Sequence, residues 1–283
     1  MDSTSNKGNM VSQKDMVAMA TIIFTLLILI YTISIILPEA IDWHLTYYPS
    51  ARACISGNTP YYEGGHLENP VWVCVLLAPF ALFPEDISRA LFLLASIFAY
   101  YKAFQSADIP RKWIMILFVS PQVLYGLNMG TIDAFVLASP AMPSVLGFLA
   151  ALTKPQIGIG YAVFLLIEWI REKNYLSLFW ALTLSGGGIL ISLWLGMPFS
   201  GGLISVPWNT SLFPYLLIPG IALLITALYY RKKEWSLVAS PMISPYLTFH
   251  SWVTVFMINK PRYLLSAFAV SWVVYLFWHY TNL

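Results

Sequence analysis

Asp42, His44, Tyr47 and Tyr48 stand close together where the first long apolar run of the chain ends, and Arg52 follows them. A carboxylate in this position can act as a general base on a hydroxyl group, and the imidazole and phenols can hydrogen-bond a polar substrate. Ionisable groups beside a membrane-length run are costly and mark functional sites. This cluster therefore predicts a binding or catalytic site. The simpler alternative is that Asp42 caps a helix at a membrane boundary.

Lys154 is a second candidate, since no other charge lies between Asp133 and Glu168. A lone lysine between apolar runs needs an anionic partner or an exit to water. It also precedes Pro155, which breaks the helix and frees backbone groups that must line protein or a cavity. We consider two interpretations: a lysine at a helix end whose ammonium extends to water, or a contact to the phosphate of a lipid-linked ligand.

Two more polar residues lie in the apolar part of the chain, Asp133 and His250. Asp133 begins a predicted helix, where capping and the helix dipole account for a carboxylate. Strict alternation of the spans would also put Asp133 on the cytoplasmic side, away from Asp42. His250 follows a segment broken by prolines, which fits either a buried histidine bonded to a carbonyl or a site. The histidines are dispersed without paired spacing, and no phosphate-binding glycine loop or nucleophile elbow occurs, so we predict no metal and no cofactor.

The composition predicts an integral membrane protein. Of the 283 residues, 59% are hydrophobic and 10% are charged, whereas soluble domains carry about 25% charged residues. The net charge of +2 gives no reason to expect nucleic acid as a partner. The two cysteines, Cys54 and Cys74, match no metal-binding motif, and a disulfide cannot be inferred from a pair alone.

The charges along the chain predict its topology through the positive-inside rule. Residues 1–15 form a cytoplasmic tail, and residues 16–283 form a single transmembrane catalytic domain that begins with a retained anchor helix. Residues 39–69 form the first extracytoplasmic loop. We predict an all-α, polytopic fold with nine to eleven transmembrane helices. The same residues predict a multi-pass membrane protein.

The middle of this topology is ambiguous. Strict alternation of helices places Lys102, Arg111 and Lys112 outside, against the positive-inside rule. Either the short segment 70–84 is re-entrant or these three charges are an exception.

Aromatic residues at the first loop also have two interpretations, an interfacial belt or a platform for carbohydrate. These aromatic residues are Trp43, Tyr47, Tyr48, Tyr61 and Tyr62.

Five motifs occur in order along residues 20 to 255. They are Asp42–Tyr48 with Gly57–Tyr61, Leu76–Pro84, Tyr125–Asp133, Ala150–Gln156, and Ser244–Tyr246 with His250. Together they make the chain similar to the glycosyltransferase C superfamily, specifically to the polyprenol-phosphate-mannose-dependent mannosyltransferases. The resemblance implies a glycosyltransferase C-like fold in a prokaryotic plasma membrane. It also implies a membrane enzyme that moves mannose or another hexose from a polyprenyl-phosphate donor to a lipid or glycan acceptor, with inversion, at the extracytoplasmic face.

The resemblance also implies roles for individual residues. Asp42 is the base on the acceptor hydroxyl, Lys154 and Arg52 contact the donor phosphate, and His250 contacts phosphate or acceptor. The remaining substrate-binding candidates are His44, Tyr47, Tyr48, Tyr61 and Gln156.

Two features depart from the family pattern. The segment Glu68–Trp72 replaces the usual Tyr-Pro-Pro entry to the second span, and the chain is shorter than most members. Two other functions therefore stay open. One is a lipid or sugar transporter or flippase, because broken helices and buried charges also describe transporters. The other is a non-catalytic partner subunit of a larger transferase.

Overall fold

A computed structural model describes residues 13–61, 67–198 and 206–281. Tyr62, one of the predicted aromatic residues, lies outside these ranges. All regular structure within them is helical, as the sequence predicts. The helices are α1 (Gln13–Ile36), α2 (Tyr48–Ile55), α3 (Trp72–Ala81), α4 (Glu85–Ser106), α5 (Arg111–Phe118), α6 (Pro121–Met129), α7 (Asp133–Leu137), α8 (Ser144–Leu152), α9 (Pro155–Arg171), α10 (Tyr175–Trp194), α11 (Leu217–Tyr230), α12 (Lys233–Ile243) and α13 (Pro261–Thr281). A π turn spans Trp43–Tyr47, and 3₁₀ helices span Ser139–Ala141 and Phe249–Met257.

Two of the described helices, α4 and α10, are long and apolar enough to cross a membrane by themselves. Several other predicted spans are much shorter: α3 has 10 residues, α8 has 9 and α12 has 11. An α-helix rises about 1.5 Å per residue, so each of these covers only part of a hydrocarbon core about 30 Å thick. The all-helical prediction is confirmed, whereas the prediction of nine to eleven spans is not.

The start of α4 is bound to the end of α1. Arg89 donates hydrogen bonds to the carbonyl oxygens of Leu37 and Pro38, at 2.6 and 2.5 Å, which satisfies acceptors left open where α1 ends. The two helices are therefore antiparallel, and α4 carries Lys102 back to the end of the bundle from which α1 starts.

Most basic side chains gather at the end of the bundle that holds the start of α1, which we call the basic end. Asn259 bonds the carbonyl of Asp108 there, the Lys260 ammonium lies 5.8 Å from the ring of Trp235, and Glu168 pairs with Arg171 at 2.8 Å. The opposite end, which we call the site end, holds Asp42 and the first loop.

The core beneath the π turn fixes the geometry of the site end. Trp43 is fully buried and stacks on Phe92 with ring centroids 4.2 Å apart. Gly130 ends α6 with a φ of +71°, and a Cβ there would lie 2.7 Å from the Cβ of Trp43. Only glycine fits this contact without strain. The turn that leads into Asp133 therefore packs directly against the segment that carries Asp42.

Candidate active site

A buried ion network is centred on Asp133, whose side chain is fully buried at the start of α7. Lys154 Nζ donates to one carboxylate oxygen at 2.5 Å. His250 Nδ1 and Ser251 Oγ bond the other oxygen at 2.7 and 2.8 Å. An ionised carboxylate only accepts hydrogen bonds, so the proton of His250 in this contact is on Nδ1.

These contacts correct three expectations. Asp133 was predicted to cap its helix, but α7 has no side-chain capping bond, and the carboxylate instead binds three donors. Strict alternation of the spans placed Asp133 at the far face of the membrane from Asp42, and the packing of Gly130 on Trp43 brings the two together. The predicted carbonyl partner of His250 is in fact this carboxylate.

The backbone departs from regular α-helix at the segments that contribute side chains to this network. Lys154 precedes α9 with extended backbone angles of −139° and 81°, and Pro155 occupies the first turn, where its missing N–H costs nothing. Asn69 from the first loop bonds the carbonyl of Thr153 at 2.7 Å. Thr248 bonds Ser251 at 2.9 Å beside the 3₁₀ helix that carries His250. The break at Lys154, predicted from its proline, therefore positions the ammonium.

Asp42 lies half-buried at the point where the chain turns from α1 into the π turn. Burial raises the pKa of Asp42, and the charges of His250 and Lys154 partly oppose this rise. Asp42 has no hydrogen bond or ion pair to the part of the chain that the structure describes. A carboxylate in this state is available to a ligand hydroxyl. π turns of this kind are common at functional sites.

Two tyrosines, Tyr47 and Tyr246, lie close enough to Asp42 for its charge to affect their pKa values. Tyr47 is buried, and Asp42 adds to a rise in the pKa of Tyr47 that burial mainly causes. Burial likewise raises the pKa of Tyr246, and the charges of Glu68 and Asp42 add to that rise. The π turn and the segment before the 3₁₀ helix therefore each bring a tyrosine near Asp42. Tyr47 was predicted as a site residue, whereas Tyr246 and Glu68 were not.

An aromatic cavity of about 180 Å³ adjoins His250, between α6 and α13. Tyr125 separates the two, since its ring lines the cavity and stacks on the imidazole of His250 with centroids 6.0 Å apart. Trp272 and Tyr275 form the opposite wall, and Asn128 adds an amide. Aromatic faces with an amide suit a ligand that has both apolar and hydroxyl-bearing parts.

Four predicted site residues make structural contacts instead of facing Asp42. His44 is exposed and pairs with Glu85 at 2.6 Å, and this hydrogen bond raises the pKa of His44. Tyr48 bonds the carbonyl of Phe83 at 3.0 Å, and Arg52 bonds that of Ala81 at 3.1 Å. Both contacts fix the end of α3 on α2.

Tyr61 belongs to the same group. It bonds the carbonyl of Asn69 at 2.7 Å within the first loop, and burial raises its pKa to about 12. Gln156 lies half-buried in the first turn of α9, next to Lys154. Among the nine predicted site residues, the structure therefore brings Asp42, Tyr47, Lys154 and His250 together.

A sequence signal for the pairing of Asp133 did exist. Asp133 and Glu168 are the acidic residues that flank Lys154 along the chain, so the sequence offered two candidate partners without choosing between them. Ser251 and Tyr246 had no comparable signal, because uncharged polar residues are common in such segments. The described residues contain no group of three or more histidines, cysteines or carboxylates suited to a metal ion.

Comparison of the chain with known protein families, with curated proteins and with solved structures finds no match.

Proposed function

We propose that the protein is an integral-membrane glycosyltransferase that moves a hexose, such as mannose, from a polyprenyl-phosphate donor to a lipid or glycan acceptor. The observation that carries this proposal is Asp42. It is a half-buried carboxylate with a raised pKa, without a hydrogen bond to the described residues, beside a buried network that contains Lys154 and His250. The order of five motifs along the chain adds support.

Asp42 acts as the general base in this proposal. It accepts the proton of an acceptor hydroxyl while that oxygen attacks the anomeric carbon of the sugar. The bond to the polyprenyl phosphate breaks on the opposite face, so the configuration inverts. A carboxylate whose pKa is raised by burial is a better base near neutral pH than one in water. Phosphate is a competent leaving group. Sugar transfer therefore needs only a base beside the acceptor hydroxyl and a favourable electrostatic potential at the phosphate.

Lys154 and His250 form the side of the site that we propose for that phosphate. The ammonium of Lys154 is balanced by Asp133, so it holds the network in place rather than acting as an isolated charge. His250 donates a hydrogen bond to the same carboxylate and lies near Asp42. We therefore assign the donor phosphate to the side of the site that His250 faces, and the acceptor hydroxyl to Asp42.

The site end faces the extracytoplasmic side in this proposal. Arg171, Lys173 and Arg231–Lys233 lie at the basic end, together with the end of α4 that carries Lys102. The positive-inside rule assigns that end to the cytoplasm. With segment 70–84 re-entrant, Lys102, Arg111 and Lys112 obey the rule, which supports this orientation.

The test is transfer of labelled mannose from a polyprenyl phosphate by the purified full chain, with membrane lipids from the expressing cells as acceptors. We expect Asp42→Asn to reduce the rate by about 10³-fold, the range for loss of a general base. Glu39→Gln is the matched control, because Glu39 is an exposed carboxylate on the same segment. Full activity in Asp42→Asn, with Glu39→Gln also active, overturns the assignment.

A lipid or sugar transporter is the second candidate, because ionisable groups buried inside a helical bundle also mark transport pathways. The same purified protein in vesicles distinguishes the two. A transporter moves the labelled lipid between leaflets without forming a new glycosidic bond. A non-catalytic subunit gives neither result unless its partner is present.

A further inference from the structure

The two cysteines of the chain meet at the interface between α2 and α3. Cys54 lies near the end of α2 and is half-buried, whereas Cys74 lies near the start of α3 and is buried. Their thiols are close enough for each to change the pKa of the other. The Sγ of Cys74 also lies 3.7 Å from the carbonyl oxygen of Ser50, one helical turn before Cys54. The structure therefore shows that Cys54 and Cys74 lie close together, which the sequence alone could not show.

The surrounding contacts hold the two helices in this register. Arg52 and Tyr48 bond the carbonyls of Ala81 and Phe83, so the other end of α3 is fixed on α2 as well. A disulfide requires Cβ atoms about 3.5–4.5 Å apart. Helices held in this register keep the two cysteines at one interface, from which side-chain rotation can bring the sulfurs together.

We propose that Cys54 and Cys74 form an intramolecular disulfide that ties α2 to α3. The proposal rests on the orientation given under the proposed function, since disulfides persist in the oxidising extracytoplasmic space and not in the cytoplasm. The bond closes a loop that contains the described residues 67–71 and joins the π turn, through α2, to the start of α3.

The chemistry is thiol–disulfide exchange with a small-molecule or protein disulfide as the oxidant. The thiolate of Cys54 attacks one sulfur of the oxidant, forms a mixed disulfide and releases the first thiol. Cys74 then attacks the Sγ of Cys54 and releases the second thiol. The two electrons and two protons of the cysteines pass to the oxidant. Cys54 suits the first step, because it is the more accessible thiol and its hydrogen bond with Cys74 lowers its pKa.

The experiment counts free thiols in the full chain. Cells are quenched in acid, and the denatured protein is alkylated with a maleimide polymer that shifts its mobility, before and after reduction. We expect no label before reduction and two labels after it. Two labels before reduction overturn the proposal. Cys54→Ser and Cys74→Ser are the controls, and in each the remaining thiol should label without reduction.

A second measurement separates geometry from orientation. The purified, reduced protein is treated with glutathione disulfide and its thiols are counted again. Closure to an unlabelled monomer, with apparent Tm about 5 °C higher than in the reduced form, is the expected result. Failure to close overturns the proposed bond whatever compartment the site faces. Neither measurement uses glycosyl transfer. The disulfide proposal can therefore be disproved without disproving the proposed enzyme activity, and the enzyme activity can be disproved without disproving the disulfide.

Discussion

Asp133 receives three donors from two distant parts of the chain, and its burial makes that set necessary. An isolated ion in an apolar interior costs several kcal/mol, which only close partners offset. Lys154 supplies the opposite charge, and His250 and Ser251 bind the other oxygen. Each partner of this network therefore depends on the others being present.

We expect Asp133→Asn to destabilise the protein by about 3–5 kcal/mol, because it leaves the buried ammonium of Lys154 without a counter-charge. Denaturant unfolding of the purified protein in detergent measures the change. Glu172→Gln, which removes an exposed carboxylate, serves as the control and should have little effect.

The double variant Asp133→Leu with Lys154→Met tests whether the unpaired charge of Lys154 causes this loss of stability. Replacement of both ions by apolar side chains should recover most of the lost stability, since it removes the uncompensated charge. A double variant no more stable than Asp133→Asn would contradict the ion-pair explanation.

At the scale of elements, the packing of α9 on α12 depends on small residues. Gly160 donates its backbone N–H to Ser240 Oγ at 2.9 Å, and a Cβ there would lie 2.1 Å from the carbonyl oxygen of Ser236. The backbone of a neighbouring helix cannot move aside as the end of a flexible side chain can, so a Cβ at Gly160 would clash with it. Gly186 in α10 is a contrasting case, because nothing lies within 4 Å of its Cβ position.

We expect Gly160→Ala to destabilise the protein by about 1–3 kcal/mol through overpacking. Gly186→Ala should instead stabilise it by about 0.5–1 kcal/mol, because alanine loses less backbone entropy in a helix. Thermal unfolding of both variants beside the wild type gives the comparison. Equal effects of the two substitutions would show that α9 and α12 are not in contact in solution.

For the whole molecule, the direction of each helix decides which charges face the same side. In the middle of the chain α3 has only 10 residues and α4 starts beside the end of α1, so the helix directions do not follow from strict alternation of the predicted spans. The resulting arrangement places Asn58 at the site end and Lys173 at the basic end.

We expect a membrane-impermeant maleimide to label Asn58→Cys but not Lys173→Cys in intact cells, with Cys54 and Cys74 replaced by serine. Both positions are exposed and should label after the cells are lysed, which is the control for reactivity. Labelling of Lys173→Cys in intact cells would reverse the orientation.

Composition and helix breakers predicted the helical architecture and the break before Pro155, because these depend on local chemistry. They also selected Asp42, Tyr47, Lys154 and His250, which the structure brings together. The partner of Lys154 was missed, since it depends on how distant segments pack. Arg52 was misleading for the same reason: its guanidinium binds a backbone carbonyl that no sequence pattern reveals.

The order of Asp133 and its partners along the chain has a consequence for biosynthesis. Lys154 follows Asp133 by 21 residues and His250 by 117, so a ribosome that adds about 5–20 residues per second makes the ammonium about 1–4 s later. During that interval a carboxylic acid entering the bilayer is cheaper to insert with its proton than without it. We expect the translocation machinery to receive Asp133 as a neutral residue, which ionises only when the lysine arrives.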